Sequence, residues 1–497
     1  MRIWLVGIAL VSSFAFYGAR GIYETSEGRY CESGREMAQT GNYLIPTLNY
    51  QPHWTKPPMT YWAIATGINM FGANEWGARF VHTLAFFLTI LLVARLGGQL
   101  FDPRTGLLAG LIYATSPFPI MGANIVTTDN LLALFEIAAV HAYCQSMQAG
   151  TTARQKYWMT GMWLCFGAAF LTKGPPALLP LLPVILWHCR QHAPRPALFP
   201  IIGVAGFALV GFSWFVIAIH QYPDLLKYYV GTEIMDRIAS DNVHNHQWYK
   251  PLTIYLPTLA FGSMFWSFFI WRGFMIKRWY RPQALWALMR RPDAVGFLSL
   301  WLILPLFVLC LSRSRLEFYA LPFFPAIVIA TARVMTTGNP AAWPLWRNLA
   351  VVSVVILTIL RMGLAYTPVA DTGLLYRLHY NDMRPLARLC RQHSDANTLF
   401  ATDASRLFGL QFYLGKHLTR VSFSGNEPRI DANFRDFWIS LAATPQPNVL
   451  FITETRNMDA MVHMLKRFQI SYTCHSAPRW AVFRITPATT QGKGIAN

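Results

Sequence analysis

Apolar and polar positions divide this chain into long greasy runs separated by short charged connections. After Arg2 the run IWLVGIALVSSFAFYGA comes first. Others follow at 78–97, 105–121, 127–147, 157–172, 174–189, 198–219, 251–271, 295–312, 317–336 and 348–366. Runs near 20 residues predict helices that cross a bilayer, and the short or proline-bearing ones predict broken or re-entrant helices. The pattern predicts a polytopic α-helical membrane protein. The first run ends in small residues between Ala15 and Ala19, as a signal peptide does, but a polar loop rich in charged side chains begins at once behind it and needs a tether. We therefore read it as an uncleaved first span.

Beyond Tyr366 the period changes. TLFATD, RVSFSG, NVLFITE and WAVFRIT read as strands, while NDMRPLARLCRQ, SRLFGLQFYLG and NMDAMVHMLKRF read as amphipathic helices. The predicted organisation is a multi-span unit over 1–366, with a first outer loop at 20–77, and a small extracytoplasmic α/β domain over 367–497. The final TPATTQGKGIAN reads as a disordered tail.

Composition agrees: 54% of residues are hydrophobic, and the mean hydropathy is +0.30. The net charge of +19 would suggest nucleic acid in a soluble protein, but no nucleic-acid-binding motif accompanies it. Membrane topology accounts for the charge. With the N-terminus in the cytoplasm, the inner loops carry Arg104, Arg154, Lys156, Arg190, Arg195, the cluster Arg272 to Arg291, and Arg347. An odd number of spans then leaves the C-terminal segment outside. Arg29, Lys56, Lys173, Arg237, Arg313 and Arg315 fall on the outer side, where topology does not call for them, and together they suit an anionic ligand such as phosphate. The cysteines show no C-x-x-C spacing; Cys390 and Cys474 share the polar C-terminal segment, where an oxidising compartment could join them.

The first outer loop holds the densest chemistry. Glu27, at a water–lipid boundary, is either a carboxylate with a raised pKa that takes a proton or part of a helix cap with Ser26. In HWTKPPMTYW, from His53 to Trp62, two prolines fix a turn that presents Lys56, either to a phosphate or as a snorkelling side chain. Asp129 in IVTTDN and Lys173 in FLTKGPP read as a cap and a turn when taken singly, and as one polar cavity when taken together. The loop at 220–250 carries Glu233, Asp236, Arg237, His244 and His246; the two histidines could share a metal with a carboxylate or simply lie on the surface. SRSRLEFYALPFFP brings Arg313 and Arg315 to the mouth of a span, with Tyr319 a turn inside. No Asp-x-Asp pair, P-loop or dinucleotide fingerprint is present, which directs attention to a lipid-borne substrate.

The run SEGRYCESGREMAQTGNYLIPTLN, then PHWTKPPMTYW and FGANEWGARF, resembles the first outer loop of bacterial GT-C glycosyltransferases. The likeness is to the lipid A aminoarabinose transferases and the dolichyl-phosphate-mannose-protein mannosyltransferase-like proteins. TTDNLLALF, FLTKGPPALLPLLP, YLPTLAFGSMFW and SRSRLEFYALPFFPA resemble the downstream motifs, so the likeness covers residues 1–335. It implies a GT-C fold of about 11–13 spans. It also implies an inverting transfer of a sugar from a polyprenyl-phosphate donor, at the outer face of a bacterial inner membrane, to lipid A, another glycolipid or a protein. On this likeness Glu27, Arg29 and Tyr30 match the acidic residue and Arg-Tyr pair of the first loop. Lys56 matches a lysine that binds donor phosphate, Asp129 and Lys173 match residues lining the cavity, and Tyr319 matches a tyrosine near the phosphate. Ser26 stands where many members have Asp, so Glu27 or Glu24 would have to serve as the base. Thr55 stands where the aminoarabinose enzymes have Glu, which weakens the case for a divalent metal there. The same features admit two rivals, a flippase for a lipid-linked sugar and a catalytically silent polyprenyl-lipid binder. Charges crowded at one face, and no internal repeat, favour the enzyme.

Overall fold

The computed structural model describes residues 2–24, 26–192, 195–235, 245, 247–276, 280–338, 343–366, 381–403, 406–422, 431–433, 436–437, 448–467, 470–476 and 479–485. Each predicted apolar run is a helix or a broken helix pair. The helices are α1 (Arg2–Phe14), α2 (Ser26–Thr40), α3 (Met59–Phe71), α4 (Glu75–Leu100), α5 (Pro103–Thr115), α6 (Pro117–Asn124), α7 (Thr128–Gln148), α8 (Thr152–Lys173), α9 (Leu181–Arg190) and α10 (Ile201–Gln221). After them come α11 (Lys250–Phe261), α12 (Ser267–Ile276), α13 (Pro282–Met289), α14 (Ala294–Leu311), α15 (Phe324–Gly338) and α16 (Trp343–Tyr366). Among the described residues five helices are long and apolar enough to cross a bilayer unaided, or seven if each bent pair is one span. The pairs α5–α6 and α11 with the segment after it bend by 57° and 93°. In the first, Pro117 follows the Ser116 break, where a proline cannot continue the preceding helix's hydrogen bonds. Other runs are shorter, such as α9, or carry buried polar residues, such as α7 with Asp129, Glu136 and His141.

Local chemistry sets the helix ends. The Asn74 side chain accepts from Gly77 N at 3.0 Å to start α4, and Asp102 accepts from Arg104 N and Thr105 N to start α5, with Pro103 at its first position. Thr127 opens α7 through Asp129 N. Lys173 is the last residue of α8, and the chain turns away through Gly174 at φ 76°, a conformation an L side chain rarely adopts. Large apolar side chains face outward along α10, where Ile201 is 87% and Leu209 72% exposed, an arrangement suited to lipid and not to water.

The strands predicted beyond Tyr366 form a six-stranded sheet. They are β3 (Leu399–Thr402), β4 (Leu418–Ser422), β6 (Val449–Glu454) and β8 (Trp480–Ile485), joined by β5 (Ala432–Asn433) and β7 (Tyr472–Ser476); a small hairpin, β1 (Thr47–Leu48) and β2 (Gln51–Pro52), belongs to the first loop. The order is β5-β4-β3-β6-β8-β7, with β3 to β6 parallel and β7 and β8 antiparallel. Helix α17 (Arg384–His393) packs Leu386 and Cys390 on Phe400, Leu450 and Ile452 at one face. Helix α18 (Phe408–Leu414) joins that face through Leu410, and α19 (Met458–Arg467) covers Ala401, Val449 and Phe451 on the other. Burial on both faces explains why the central strands read as continuous apolar runs. Cys390 is buried beneath this sheet while Cys474 is exposed on edge strand β7, and both are free thiols, so the pairing that the sequence left open is not formed in this structure. The sequence tail TPATTQGKGIAN lies outside the described residues.

Candidate active site

The first loop is more ordered than its polarity suggests. Although α2 is polar in sequence, ten of its residues are buried, because its charged side chains find partners within the helix and on the segments around it. Arg35 holds Glu32 through Nε and Nη2 at 2.7 and 2.8 Å, and Glu36 accepts from Thr47 Oγ1 at 2.6 Å and Tyr50 N at 3.0 Å, fixing the β1–β2 hairpin.

Glu27 is the most heavily bound of these acids. Arg20 Nη1 and Nη2 reach its two oxygens at 2.6 and 3.1 Å, Arg79 Nε of α4 donates at 2.9 Å, and Tyr23 N and Val126 N complete the shell. Burial alone would push the Glu27 carboxyl up, but Arg20 and Arg79 outweigh it and hold it at about 2. The upward shift expected of Glu27 is reversed: it is a permanent anion with its lone pairs occupied, unsuited to take a proton. Arg79 also donates to the carbonyls of Arg20 and Gly21 at 2.7 and 2.8 Å, and Arg20 donates to Asn124 O, so this clamp ties the end of α1, α2, α4 and α6 together. Neither arginine was singled out from sequence.

Glu24 faces the C-terminal sheet. Its Oε1 accepts from Gly409 N at 2.5 Å, and burial raises its carboxyl to about 8 despite the backbone N–H groups of Gly409, Leu410 and Phe408. Gly28 lies so close to Gly409 that an added Cβ would stand 2.5 Å from its nitrogen. Gly21 N to Asp382, Gln411 Nε2 to Asn49 and Tyr413 Oη to Glu75 extend this contact, which seats the first loop on the C-terminal unit. Glu24 serves that junction.

A cavity of about 480 Å³ lies among α7, α8, α10, α14 and the turn before α3. Lys56, Lys173, Tyr319, Glu136, Ser312 and Ser314 are among its polar lining, and Phe170, Phe212, Phe215 and Leu309 contribute to its apolar walls. Lys56 arrives on the turn ahead of Pro57 and Pro58, which stand where a helix entry leaves N–H groups unused, and its Nζ donates to Thr55 O at 2.6 Å. Lys173 is ion-paired with Asp129 and lies 4.0 Å from the Tyr319 ring centroid. The Tyr30 phenol is buried within electrostatic reach of Asp129 and Tyr319, and burial raises its pKa so that it stays a neutral donor. The structure thus brings Lys56, Lys173, Asp129, Tyr30 and Tyr319 together.

The other candidates fall elsewhere. Arg29 is half-buried beside the Tyr30 ring, at 5.3 Å, with no hydrogen-bond partner at Nε among the described residues. Arg315 is buried with Nη1 donating to Asn245 O and Gln247 O and Nη2 to Cys310 O, each at 3.0 Å, so it fastens a loop; Arg313 is half-buried and does not line the cavity. Asp236, Arg237, His244, His246 and the side chain of Glu233 lie outside the described residues. Among the described residues no three His, Cys, Asp or Glu side chains gather as a metal site would require. Glu136 is the lining residue that sequence reading missed. Its signal was an acid seven residues after Asp129 within an apolar run.

Residues 55–217 match the dolichyl-phosphate-mannose-protein mannosyltransferase family. The chain is similar in structure to ArnT from Cupriavidus metallidurans in the apo state, with a TM-score of 0.75 at 20% identity, covering 97% of each chain. The fold is the GT-C fold. The same protein bound to undecaprenyl phosphate also matches at 0.75 and 20% identity, over 99% of each chain. In sequence, the chain is 29% identical over 331 residues to undecaprenyl phosphate-alpha-4-amino-4-deoxy-L-arabinose arabinosyl transferase 1 of Pseudomonas fluorescens, covering 65% of this chain and 58% of that protein. It is 30% identical over 334 residues to the corresponding transferase of Pseudomonas aeruginosa, covering 65% and 58%. The sequence match therefore spans a little over half the length of these curated relatives. The likeness to GT-C glycosyltransferases of the aminoarabinose type, read from the loop motifs, is borne out. The apolar helices and the bacterial relatives make this a multi-pass protein of the bacterial inner membrane.

Proposed function

We propose that this GT-C protein transfers a sugar from a polyprenyl-phosphate donor to lipid A or another envelope acceptor at the periplasmic face of the inner membrane. One observation carries the reading: a largely apolar cavity between the N-terminal part of α7 and the C-terminal end of α8 holds two lysines, Lys56 and Lys173, beside Tyr319. A polyprenyl phosphate has the same two parts, a hydrocarbon tail for the walls and an anion for the lysines. The relatives, undecaprenyl phosphate-aminoarabinose transferases, and the undecaprenyl phosphate bound in the matching structure support this choice of donor.

In this reading the acceptor oxygen attacks the anomeric carbon while the bond from that carbon to the phosphate oxygen breaks. The polyprenyl phosphate departs with the electron pair, and Lys56 and Lys173 stabilise the negative charge that grows on it. Asp129 receives the proton of a hydroxyl acceptor, and a phosphate acceptor requires no base. Glu27 keeps Arg29 and Tyr30 in place by anchoring the first turn of α2. The test is mass spectrometry of lipid A, lipopolysaccharide and envelope proteins from a deletion strain complemented with wild-type or Lys56→Ala protein. One glycoconjugate should lose a single sugar mass that only the wild type restores. Unchanged glycoconjugates with lipid-linked precursors accumulating would refute transfer.

A further inference from the structure

Glu136 is the one acid lining the cavity, and it is only 2% exposed. It sits seven residues beyond Asp129 on α7, two turns along the same helix face and so about 10 Å further into the protein. Helical side chains lean toward the helix N-terminus, which aims this carboxyl back toward the Lys173 end of the cavity. Lys173 and Asp129 are the charges within its electrostatic reach, but Lys173 is ion-paired with Asp129 and no ion pair joins it to Glu136 among the described residues. Among the described residues Glu136 has neither a hydrogen bond nor an ion pair. A buried carboxyl with no partner is costly in an apolar site, and a ligand group that donates a hydrogen bond removes that cost.

The donor's phosphate, a diester in the sugar-bearing lipid, has no proton to donate and has the two lysines instead. The donor's hydrocarbon tail has no hydrogen to donate. The remaining part of such a donor, its sugar, carries hydroxyl or ammonium groups. Resting on the proposed function, we infer that Glu136 forms a sugar-reading subsite: it accepts a hydrogen bond from a hydroxyl or ammonium group of the donor sugar, inside the same cavity that holds the phosphate. Glu136 is then a specificity-determining residue for which sugar is transferred. A lost hydrogen bond to a carboxylate weakens binding by about ten-fold or more.

The test compares binding of three lipids to purified full-length wild type, Glu136→Leu and Glu136→Gln: undecaprenyl phosphate, undecaprenyl phosphate mannose and undecaprenyl phosphate 4-amino-4-deoxy-L-arabinose. The expected result is that wild type binds at least one sugar-bearing lipid tighter than bare undecaprenyl phosphate. Glu136→Leu should then lose about ten-fold for that lipid alone, with undecaprenyl phosphate affinity unchanged. Glu136→Gln, which keeps a carbonyl acceptor, should retain binding if the group read is a hydroxyl and lose it if the group is an ammonium. Equal losses for bare and sugar-bearing lipids would overturn the inference by showing that Glu136 supports the phosphate site or the fold. No loss for any lipid would overturn it as well. If wild type binds none of the three, the proposed function fails along with it.

Discussion

Two clusters in this protein pair basic side chains with acids, and they are built for opposite ends. In the clamp, Glu27 is fully enclosed by Arg20, Arg79 and two backbone N–H groups. Both carboxylate oxygens accept hydrogen bonds, and Glu27 does not line the cavity of about 480 Å³. In the cavity, Lys56 and Lys173 border open space of about 480 Å³ and share it with Glu136, an acid that has no hydrogen-bond partner among the described residues. Counting charges along the sequence treats these clusters alike. What separates them is saturation: the clamp spends its charge on holding helix ends together, whereas the cavity keeps charge facing a space that a ligand can enter.

The comparison breaks most visibly in activity. Lys56→Ala should lower sugar transfer by about 100-fold or more while the protein still inserts and folds, as a charge-stabilising group lost from the leaving phosphate predicts. Near-normal turnover, measured with undecaprenyl-phosphate sugar, would put the phosphate elsewhere. Glu27→Gln should act on stability first. It leaves the buried Arg79 guanidinium and the part-buried Arg20 underpaired, at a cost on the order of 3–5 kcal/mol. Thermal unfolding of the two variants should therefore separate them, with a large drop for Glu27→Gln and little for Lys56→Ala.

Acidity sharpens the contrast within the first loop itself, where two acids three residues apart move in opposite directions. Glu27 is lowered from 4.5 to about 2, so its stabilisation is present above the usual carboxylate range and lost as pH falls from about 4.5 toward 2. Glu24 is raised from 4.5 to about 8, so its contribution is present below 4.5 and lost as pH rises through about 8. Unfolding measured from pH 5 to pH 9 should show an alkaline loss that Glu24→Gln flattens, and an unchanged slope in that variant would remove Glu24 from the junction with the C-terminal sheet. The smallest effect belongs to Arg291→Ala. It breaks an Arg291–Asp293 pair about half exposed to solvent, and should change stability by no more than about 1 kcal/mol in the same assay.

Much of this architecture was legible in the chain, because apolar runs and their breaks report directly on burial in lipid. The strands TLFATD, NVLFITE and WAVFRIT and the helix NMDAMVHMLKRF fall where their patterns put them, for the same reason. The hidden parts depend on contacts between segments far apart. Nothing local to Arg79 says that it reaches back 52 residues to Glu27, so the acid's environment, and hence the direction of its pKa, could not be read from SEGRY. Arg315 looked like an anion binder because, with Arg313, it falls at the outer mouth of a span where topology does not call for cations, but the carbonyls of Asn245 and Gln247 occupy it from 70 and 68 residues away. Helix α2 was hidden for a related reason. Its charged sequence reads as an exposed loop unless Glu32, Arg35 and Glu36 are seen to neutralise or bond one another's surroundings inside the protein.

The most direct test of the distinction between the clamp and the cavity is binding of undecaprenyl phosphate to purified wild type, Lys56→Ala and Glu27→Gln at a temperature where all three are folded. The account predicts binding by the wild type, retained in Glu27→Gln and lost in Lys56→Ala. Undiminished binding by Lys56→Ala, with loss in folded Glu27→Gln, would contradict it and move the anion site to the clamp.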